Sequence, residues 1–225
     1  MYFLSTRRKK KKITASQAII KGLSSDRGLF VPSEFKNLKS ELKNLVDLDY
    51  KELAYVILKE FLTDYSEKEL KYCINSAYDE KFDTEKIAPI SKIGDDYVLE
   101  LYHGPTCAFK DMALTIMPYL LKTAIEKNNL KEEVVILTAT SGDTGKAALE
   151  GFKDVDKIKI VVFFPENGVS NIQKLQMKTT GGNNTCVVGI NGNFDDAQTG
   201  VKNIFADNNF NKDLKEKGYI LSSAN

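Results

Sequence analysis

The fold class of this 225-residue chain is decided by the stretch Val134-Val135-Ile136-Leu137-Thr138-Ala139-Thr140-Ser141-Gly142-Asp143-Thr144-Gly145. A continuous apolar run, as at 134–137, is typical of a strand that is buried on both faces of a sheet. A loop of small residues follows, and the segment from Gly145 to Phe152 has the composition of a helix. A buried strand, a short loop and a helix in this order indicate a parallel sheet.

Strands and helices alternate along the rest of this part of the chain. The sequence predicts further strands at 158–164, 186–190 and 219–221, and further helices at 113–127, 171–178 and 195–205. A hairpin precedes them, with strands at 90–93 and 97–101 around the turn Gly94-Asp95-Asp96. The predicted fold class is therefore α/β, with a parallel sheet covered by helices on both faces.

The first 85 residues have a different pattern. Helices are expected where a capping residue precedes apolar residues at helical spacing: after Thr14 or Ser16, after Asp49 and after Ser66. The mixed-charge stretch 78–85 is the best candidate for a linker. The sequence thus predicts a mostly helical N-terminal domain at 1–85 and an α/β domain at 86–225.

Composition and charge exclude several classes of protein. Hydrophobic residues make up 42% of the chain, enough for a core. The 32 basic and 31 acidic residues nearly balance, and no nucleic-acid partner is expected. Six basic residues form the run Arg7-Arg8-Lys9-Lys10-Lys11-Lys12, which we interpret as a solvated loop; 26 basic residues remain outside it. No apolar stretch is long enough to predict a membrane span.

Metal and disulfide chemistry are also disfavoured. The chain has one histidine and three cysteines, which excludes a multi-histidine or four-cysteine site. His103, Cys73, Cys107 and Cys186 lack the short spacing of most Cys3His sites, so we predict no metal. Three scattered cysteines are no disulfide framework either, which favours a reducing, cytoplasmic location.

The loop at 140–145 is a candidate anion site. Free backbone N–H groups at the N-terminus of a helix, together with serine and threonine hydroxyls, favour a bound anion. An ordinary capped turn is the alternative. A nucleotide-binding P-loop needs Gly at 140 and Ser or Thr at 147, where this chain has Thr140 and Ala147. Gly189, Gly192 and Gly200 lack the spacing of a dinucleotide-binding loop.

A second candidate is Lys110, in the segment His103-Gly104-Pro105-Thr106-Cys107-Ala108-Phe109-Lys110-Asp111. Apolar neighbours and the start of a helix both disfavour a charge on a lysine, whereas Asp111 favours it. A neutral amine is the form that makes a Schiff base. We cannot assign His103 a chemical role from the sequence, and a hydrogen-bonded structural histidine is the simpler interpretation.

These two segments resemble the threonine synthase family of fold-type II enzymes that use pyridoxal 5'-phosphate (PLP). The pattern E-L-x-H-G-P-T-x-A-F-K-D occurs at 100–111 and T-x-T-S-G-D-T-G at 138–145. Further matches lie at 24–32, at 165–173, at 192–198 and at 223–225, in the order of the family. The resemblance covers nearly the whole chain and corresponds to the amino-terminal half of the family. It implies that 1–85 is the family's N-terminal domain and that 86–225 is the first part of its PLP-dependent catalytic domain, truncated at the C-terminus.

The resemblance implies a lyase of threonine and amino-acid biosynthesis that converts O-phospho-L-homoserine and water to L-threonine and phosphate. It implies that Lys110 binds PLP and is catalytic, and that Asp143 contacts the cofactor. It implies that the substrate binds to Thr140, Ser141, Gly142, Asp143, Thr144 and Asn225. A monomer or homodimer is expected.

Three alternatives stay open at this point. The chain stops just after the strand at 219–221, so we expect a truncated synthase without the turn that holds the PLP phosphate, and this piece is expected to be inactive alone. A non-catalytic fragment or interaction protein that keeps the fold is the second alternative. A Ser/Thr dehydratase is the third, and it is disfavoured because those enzymes usually show S-x-K-x-R-G at the lysine.

Overall fold

The structure, a computed structural model, describes residues 1–7 and 11–224. Three members of the basic run, Arg8, Lys9 and Lys10, lie outside the described residues. Asn225, predicted to contact the substrate, lies outside them as well. The interpretation of the basic run and the role of Asn225 therefore stay predictions.

The described residues form eight strands and ten helices in a single chain order. The strands are β1 (Phe3–Ser5), β2 (Phe30–Pro32), β3 (Ile90–Ile93), β4 (Asp96–Leu99), β5 (Glu133–Ala139), β6 (Ile158–Pro165), β7 (Thr185–Ile190) and β8 (Tyr219–Ser222). The helices are α1 (Ala15–Lys21), α2 (Leu42–Leu45), α3 (Tyr50–Phe61), α4 (Glu67–Ala77), α5 (Asp111–Leu114), α6 (Met117–Lys127), α7 (Asp143–Phe152), α8 (Asn171–Thr179), α9 (Phe194–Ala206) and α10 (Asn208–Glu216). No described helix is long and apolar enough to cross a bilayer.

A four-stranded parallel sheet with the order β7-β6-β5-β8 organises the second part of the chain. Side chains of β5 alternate between its two faces. Val134 and Ile136 pack into the core that contains α6 and α7, whereas Leu137 and Ala139 pack against Ala197 and the rest of α9. The sheet is thus covered on both faces, and the predicted α/β class is confirmed.

The prediction of one helix over 113–127 is wrong, because two helices occupy this region. Helix α5 ends at Leu114 and α6 begins at Met117. Pro118 has no N–H group and cannot bond the carbonyl of Leu114, which lies four residues earlier. That carbonyl instead lies against Gly151 of α7, where a Cβ atom would come within 2.2 Å of the Leu114 oxygen. The break therefore lets α5 pack closely on α7.

The N-terminal helices begin at the predicted caps. Thr14, Asp49 and Ser66 each accept a hydrogen bond from the backbone three residues on, at the starts of α1, α3 and α4. The stretch 78–85 is not an exposed linker, since Tyr78 and Phe82 are buried. These helices share one continuous core with α6 and the sheet. The division at residue 85 stays a prediction.

Strand β8 lies at one edge of the sheet and is covered, although the sequence indicated a strand without a helix over it. Helices α1 and α10 both contact it. Ser222 is buried and its hydroxyl donates to the carbonyl of Ile19 in α1 at 3.3 Å. The carboxyl ends of β5 and β8 lie side by side, because Ile136 pairs with Ser222 in parallel register.

Candidate active site

The loop between β5 and α7 is held from inside by Thr140. Its side chain is buried, and its hydroxyl oxygen accepts hydrogen bonds from the N–H groups of Gly142 at 2.9 Å and Gly145 at 2.8 Å. Gly142 has a φ of 143°, a conformation that side-chain-bearing residues rarely adopt. The Thr140 hydroxyl thus stabilises the conformation of the loop, and a glycine at 142 allows the positive φ that the turn requires.

The outer side of this loop carries unbonded donors. Ser141 and Asp143 are exposed and Thr144 is half-buried. The residue that caps α7 is Gly142, which has no side chain to accept a hydrogen bond from the first turn of the helix. Within the described part of the chain, no hydrogen bond uses the N–H groups of Ser141, Asp143 or Thr144. Backbone donors at a ten-residue helix N-terminus, with two hydroxyls beside them, suit a carboxylate.

Gln173 of α8 is the neighbour of this loop that the sequence did not assign to the site. Its Nε2 donates to Asp143 Oδ1 at 2.9 Å, and its Oε1 accepts from the backbone N–H of Ser170 at 3.1 Å. A Cβ atom on Gly142 would lie 2.4 Å from the same amide nitrogen. The spacing Ser170-x-x-Gln173 is a capping-box pattern. This pattern predicts the start of a helix, but it does not predict the contact of the Gln173 side chain with Asp143.

Lys110 occupies the cap position of the four-residue helix α5. Its side chain is half-buried, and its Nζ lies 4.7 Å from the centre of the Phe109 ring. Among the described residues it makes no ion pair. Lys146, the lysine within α7, differs: its Nζ lies 3.0 Å from Glu150 and 3.0 Å from Thr180.

Asp111 follows Lys110, but its carboxylate is engaged elsewhere. The residue is 1% exposed, its Oδ2 accepts from the Thr106 N–H at 2.8 Å, and its Oδ1 accepts from the Thr106 hydroxyl at 2.6 Å. Gly104 lies against this carboxylate, since a Cβ atom there would come within 2.6 Å of Asp111 Oδ2. Both oxygens of the Asp111 carboxylate thus bind Thr106 rather than Lys110.

The helices that follow the two candidate segments pack against each other, with Leu114 of α5 beside Gly151 of α7. Helix α5, which follows Lys110, contacts α7, which begins at the 140–145 loop. The residue after β8, Ser223, follows that strand at the same edge of the sheet as this loop. Two cavities, of about 320 Å³ and 510 Å³, lie in the N-terminal region, and neither is lined by Lys110 or by residues 140–144.

Metal chemistry has no candidate in this site. Within the described ranges, no group of three or more His, Cys, Asp or Glu side chains could hold an ion. Cys73 is buried, whereas Cys107 and Cys186 are exposed.

Comparison of this chain with known proteins finds similarity to threonine synthases. The family described as "Threonine synthase N terminus" matches residues 2–78. The human protein "Threonine synthase-like 1" is 44% identical over 221 residues, which cover 93% of this chain and 29% of that protein. The threonine synthase of Pseudomonas aeruginosa is 39% identical over 215 residues, covering 94% of this chain and 45% of the enzyme.

Solved structures agree. The PLP-bound threonine synthase of Brucella melitensis superposes with a TM-score of 0.86 at 34% identity, over all of this chain and 47% of its own. The Escherichia coli threonine synthase does so with a TM-score of 0.84 at 31% identity. This chain spans less than half the length of the human and Pseudomonas aeruginosa relatives. By sequence and by fold, the chain matches the amino-terminal part of the threonine synthase family.

Proposed function

We propose that this chain supplies the lysine and the carboxylate-binding loop of a PLP-dependent threonine synthase. The substrate would be O-phospho-L-homoserine and the products L-threonine and phosphate. The observation that carries the proposal is the 140–145 loop, where the N–H groups of Ser141, Asp143 and Thr144 have no described partner at the carboxyl end of a parallel strand. Ligands of open parallel sheets bind at this end of the strands.

Each residue has a separate task in this proposal. Ser141 and Thr144 donate hydroxyl and backbone N–H bonds to the substrate carboxylate. Thr140 and Gly142 give the loop its shape and do not need to touch the substrate with their side chains. Asp143 is fixed at one oxygen by Gln173, which leaves its other oxygen for the cofactor.

Lys110 is the amine that holds the cofactor and then moves protons at the substrate. PLP, when bound, supplies an electron sink that stabilises carbanions next to the amino group. Proton transfer requires an amine that is not committed to a carboxylate, and Lys110 meets this condition whereas Lys146 is paired with Glu150. We also propose that the protein acts in the cytoplasm, in agreement with the reducing compartment that its cysteines favour.

Reductive trapping tests the assignment. PLP and borohydride are added to the protein, and the pyridoxyl label is located by peptide mapping. We expect the label on Lys110, no label there in Lys110→Arg, which keeps the charge, and unchanged labelling in Lys146→Arg. Label on another lysine, or labelling independent of Lys110, would contradict the proposal.

A further inference from the structure

His103 is the member of the His103-Gly104-Pro105-Thr106 motif to which the proposed function gives no task. Its side chain is only 14% exposed and lies between β4 and the loop that leads to Lys110. The ring of Tyr102 stacks on it, with ring centres 4.5 Å apart. The contacts of its two ring nitrogens indicate its charge and its structural role.

Both nitrogens of the imidazole face carboxylates. Nε2 lies 2.7 Å from Glu100 Oε2, and Nδ1 lies 2.5 Å from Asp83 Oδ1. A carboxylate only accepts hydrogen bonds, and an imidazole donates at both nitrogens only when it is protonated. The neutral ring would turn a lone pair toward one of the two carboxylates. The geometry therefore favours an imidazolium cation between two carboxylates.

The two carboxylates fix this cation to two other parts of the chain. The Ser91 hydroxyl of β3 donates to Glu100 Oε1, so the hairpin holds one partner. Asp83 belongs to the segment before the hairpin, and its backbone N–H donates to the carbonyl of His103 at 3.0 Å. His103 thus joins the hairpin and the 79–87 segment to the start of the lysine loop.

The other end of that loop is closed by the two bonds from Thr106 to Asp111. Between the two closures lie Gly104, pressed against Asp111, and residues 107–110, which carry the lysine. Cys107 has a positive φ of 58°, so this short loop also contains a strained residue that its surroundings must hold in place.

We propose that His103 is a positioning residue, which as an imidazolium bound by Asp83 and Glu100 holds the 104–110 loop and thereby places Lys110. The titratable groups that face the ring are Asp83, Glu100 and Tyr102. The hydrogen bonds to Glu100 and Asp83 raise the pKa of His103, and the bonds from Ser91 and His103 lower the pKa of Glu100. The importance of this placement for chemistry rests on the proposed function of Lys110.

Because His103 is the single histidine in the chain, its ring proton gives one assignable NMR titration. We expect a midpoint above the ordinary histidine value of about 6.5, and a lower midpoint in Asp83→Asn and in Glu100→Gln. Glu85→Gln, an exposed carboxylate in the same segment, is the matched control and leaves the midpoint unchanged. A titration midpoint at or below 6.5 would overturn the proposal, and so would a midpoint that neither Asp83→Asn nor Glu100→Gln changes.

The effect on the loop is measured separately, by hydrogen exchange of the peptide that covers residues 104–112. At one fixed pH we expect severalfold faster exchange in Asp83→Asn, Glu100→Gln and His103→Asn, and wild-type exchange in Glu85→Gln. The yield of pyridoxyl label on Lys110 then falls in the same three variants. Unchanged exchange would refute the positioning role. Failure of the wild type to label Lys110 would instead refute the proposed function, while titration and exchange still decide the role of His103.

Discussion

The side-chain amide of Gln173 donates a hydrogen bond to Asp143 across 2.9 Å, which links the first residue of α7 to the first turn of α8. The same side chain accepts from the N–H of Ser170 and leaves no room for a side chain at Gly142. One glutamine, thirty positions along the chain from the aspartate, therefore sets the direction of its carboxylate and lies against Gly142 of the candidate anion loop.

Replacing Gln173 is expected to loosen this loop. Gln173→Ala removes the donor to Asp143 and half of the α8 capping box, so it should lower the free energy of unfolding by about 0.5–2 kcal/mol. Gln173→Glu, which brings a second carboxylate toward Asp143, should cost at least as much. Gln176→Ala, on the same helix, is the control. Urea denaturation measures all three, and equal losses at 173 and 176 would show that the contact is unimportant.

Two buried threonines two residues apart should respond oppositely to the same substitution. Thr140→Val leaves the N–H groups of Gly142 and Gly145 without their acceptor, at a cost of about 1–3 kcal/mol for each unpaired group. Thr138 is fully buried, and its hydroxyl has no partner in the described residues. Thr138→Val should therefore be neutral or stabilising. Thermal or urea denaturation of both variants decides, and a Thr138→Val variant as unstable as Thr140→Val would contradict this account.

Loss of the loop hydroxyls should weaken substrate far more than cofactor. Ser141→Ala and Thr144→Val each remove a hydroxyl aimed at the substrate carboxylate, and a hydrogen bond to a charged group contributes about 1.5–3 kcal/mol, or ~10–100-fold in affinity. Binding of O-phospho-L-homoserine and of PLP is measured on each variant. Parallel loss of both affinities would mean that the loop is only structural.

PLP affinity of the 225 residues by themselves is expected to be weak. The proposal assigns to described residues an amine and a carboxylate loop, but no group for the cofactor phosphate, whose charge-assisted bonds supply much of the affinity. Titration followed by the absorbance of bound PLP provides the measurement. Tight stoichiometric binding with phosphate release from O-phospho-L-homoserine would show that these residues suffice.

The stability contributed by His103 should depend on pH with a defined sign. Its pKa is raised in the folded protein by Glu100 and Asp83, so its stabilisation is complete below the unfolded value of about 6.5 and is lost as the pH rises through the folded value. The difference in unfolding free energy between wild type and His103→Asn should therefore shrink from about pH 6 upward. A difference that stays constant over this range would contradict the charged state.

The sequence predicted what depends on local patterns. Apolar runs located β5 and β6, and the caps Thr14, Asp49 and Ser66 placed three helices, because both signals act over a few residues. The break at Pro118 was missed because apolar spacing continues across it. Helix α10 was missed because its residues are mostly polar and only Phe210 and Leu214 are apolar, too few to stand out as a helical pattern.

The residue types of the candidate site were chosen from the sequence, whereas the contacts among them were not predicted. The small residues of the 140–145 loop predicted an anion site. The Phe109 ring beside Lys110 Nζ is 58% exposed, and the apolar setting expected for this lysine stays a prediction. The bonds that distinguish the roles of these residues join segments 20 to 30 positions apart: Gln173 with Asp143, and Asp83 with His103. Sequence spacing carries no signal for such pairs.

The shared core of the N-terminal helices and the sheet has a consequence for how the molecule unfolds. Leu121, Ala124 and Ile125 of α6 are buried in the cluster that also contains residues of α1 and α4. The N-terminal helices and the sheet cannot separate without exposing these side chains to water. We therefore expect both parts to unfold in a single cooperative transition and to lose their resistance to proteases together. A shortened polypeptide beginning near residue 86 would then be an aggregation-prone species rather than an independently folding catalytic module.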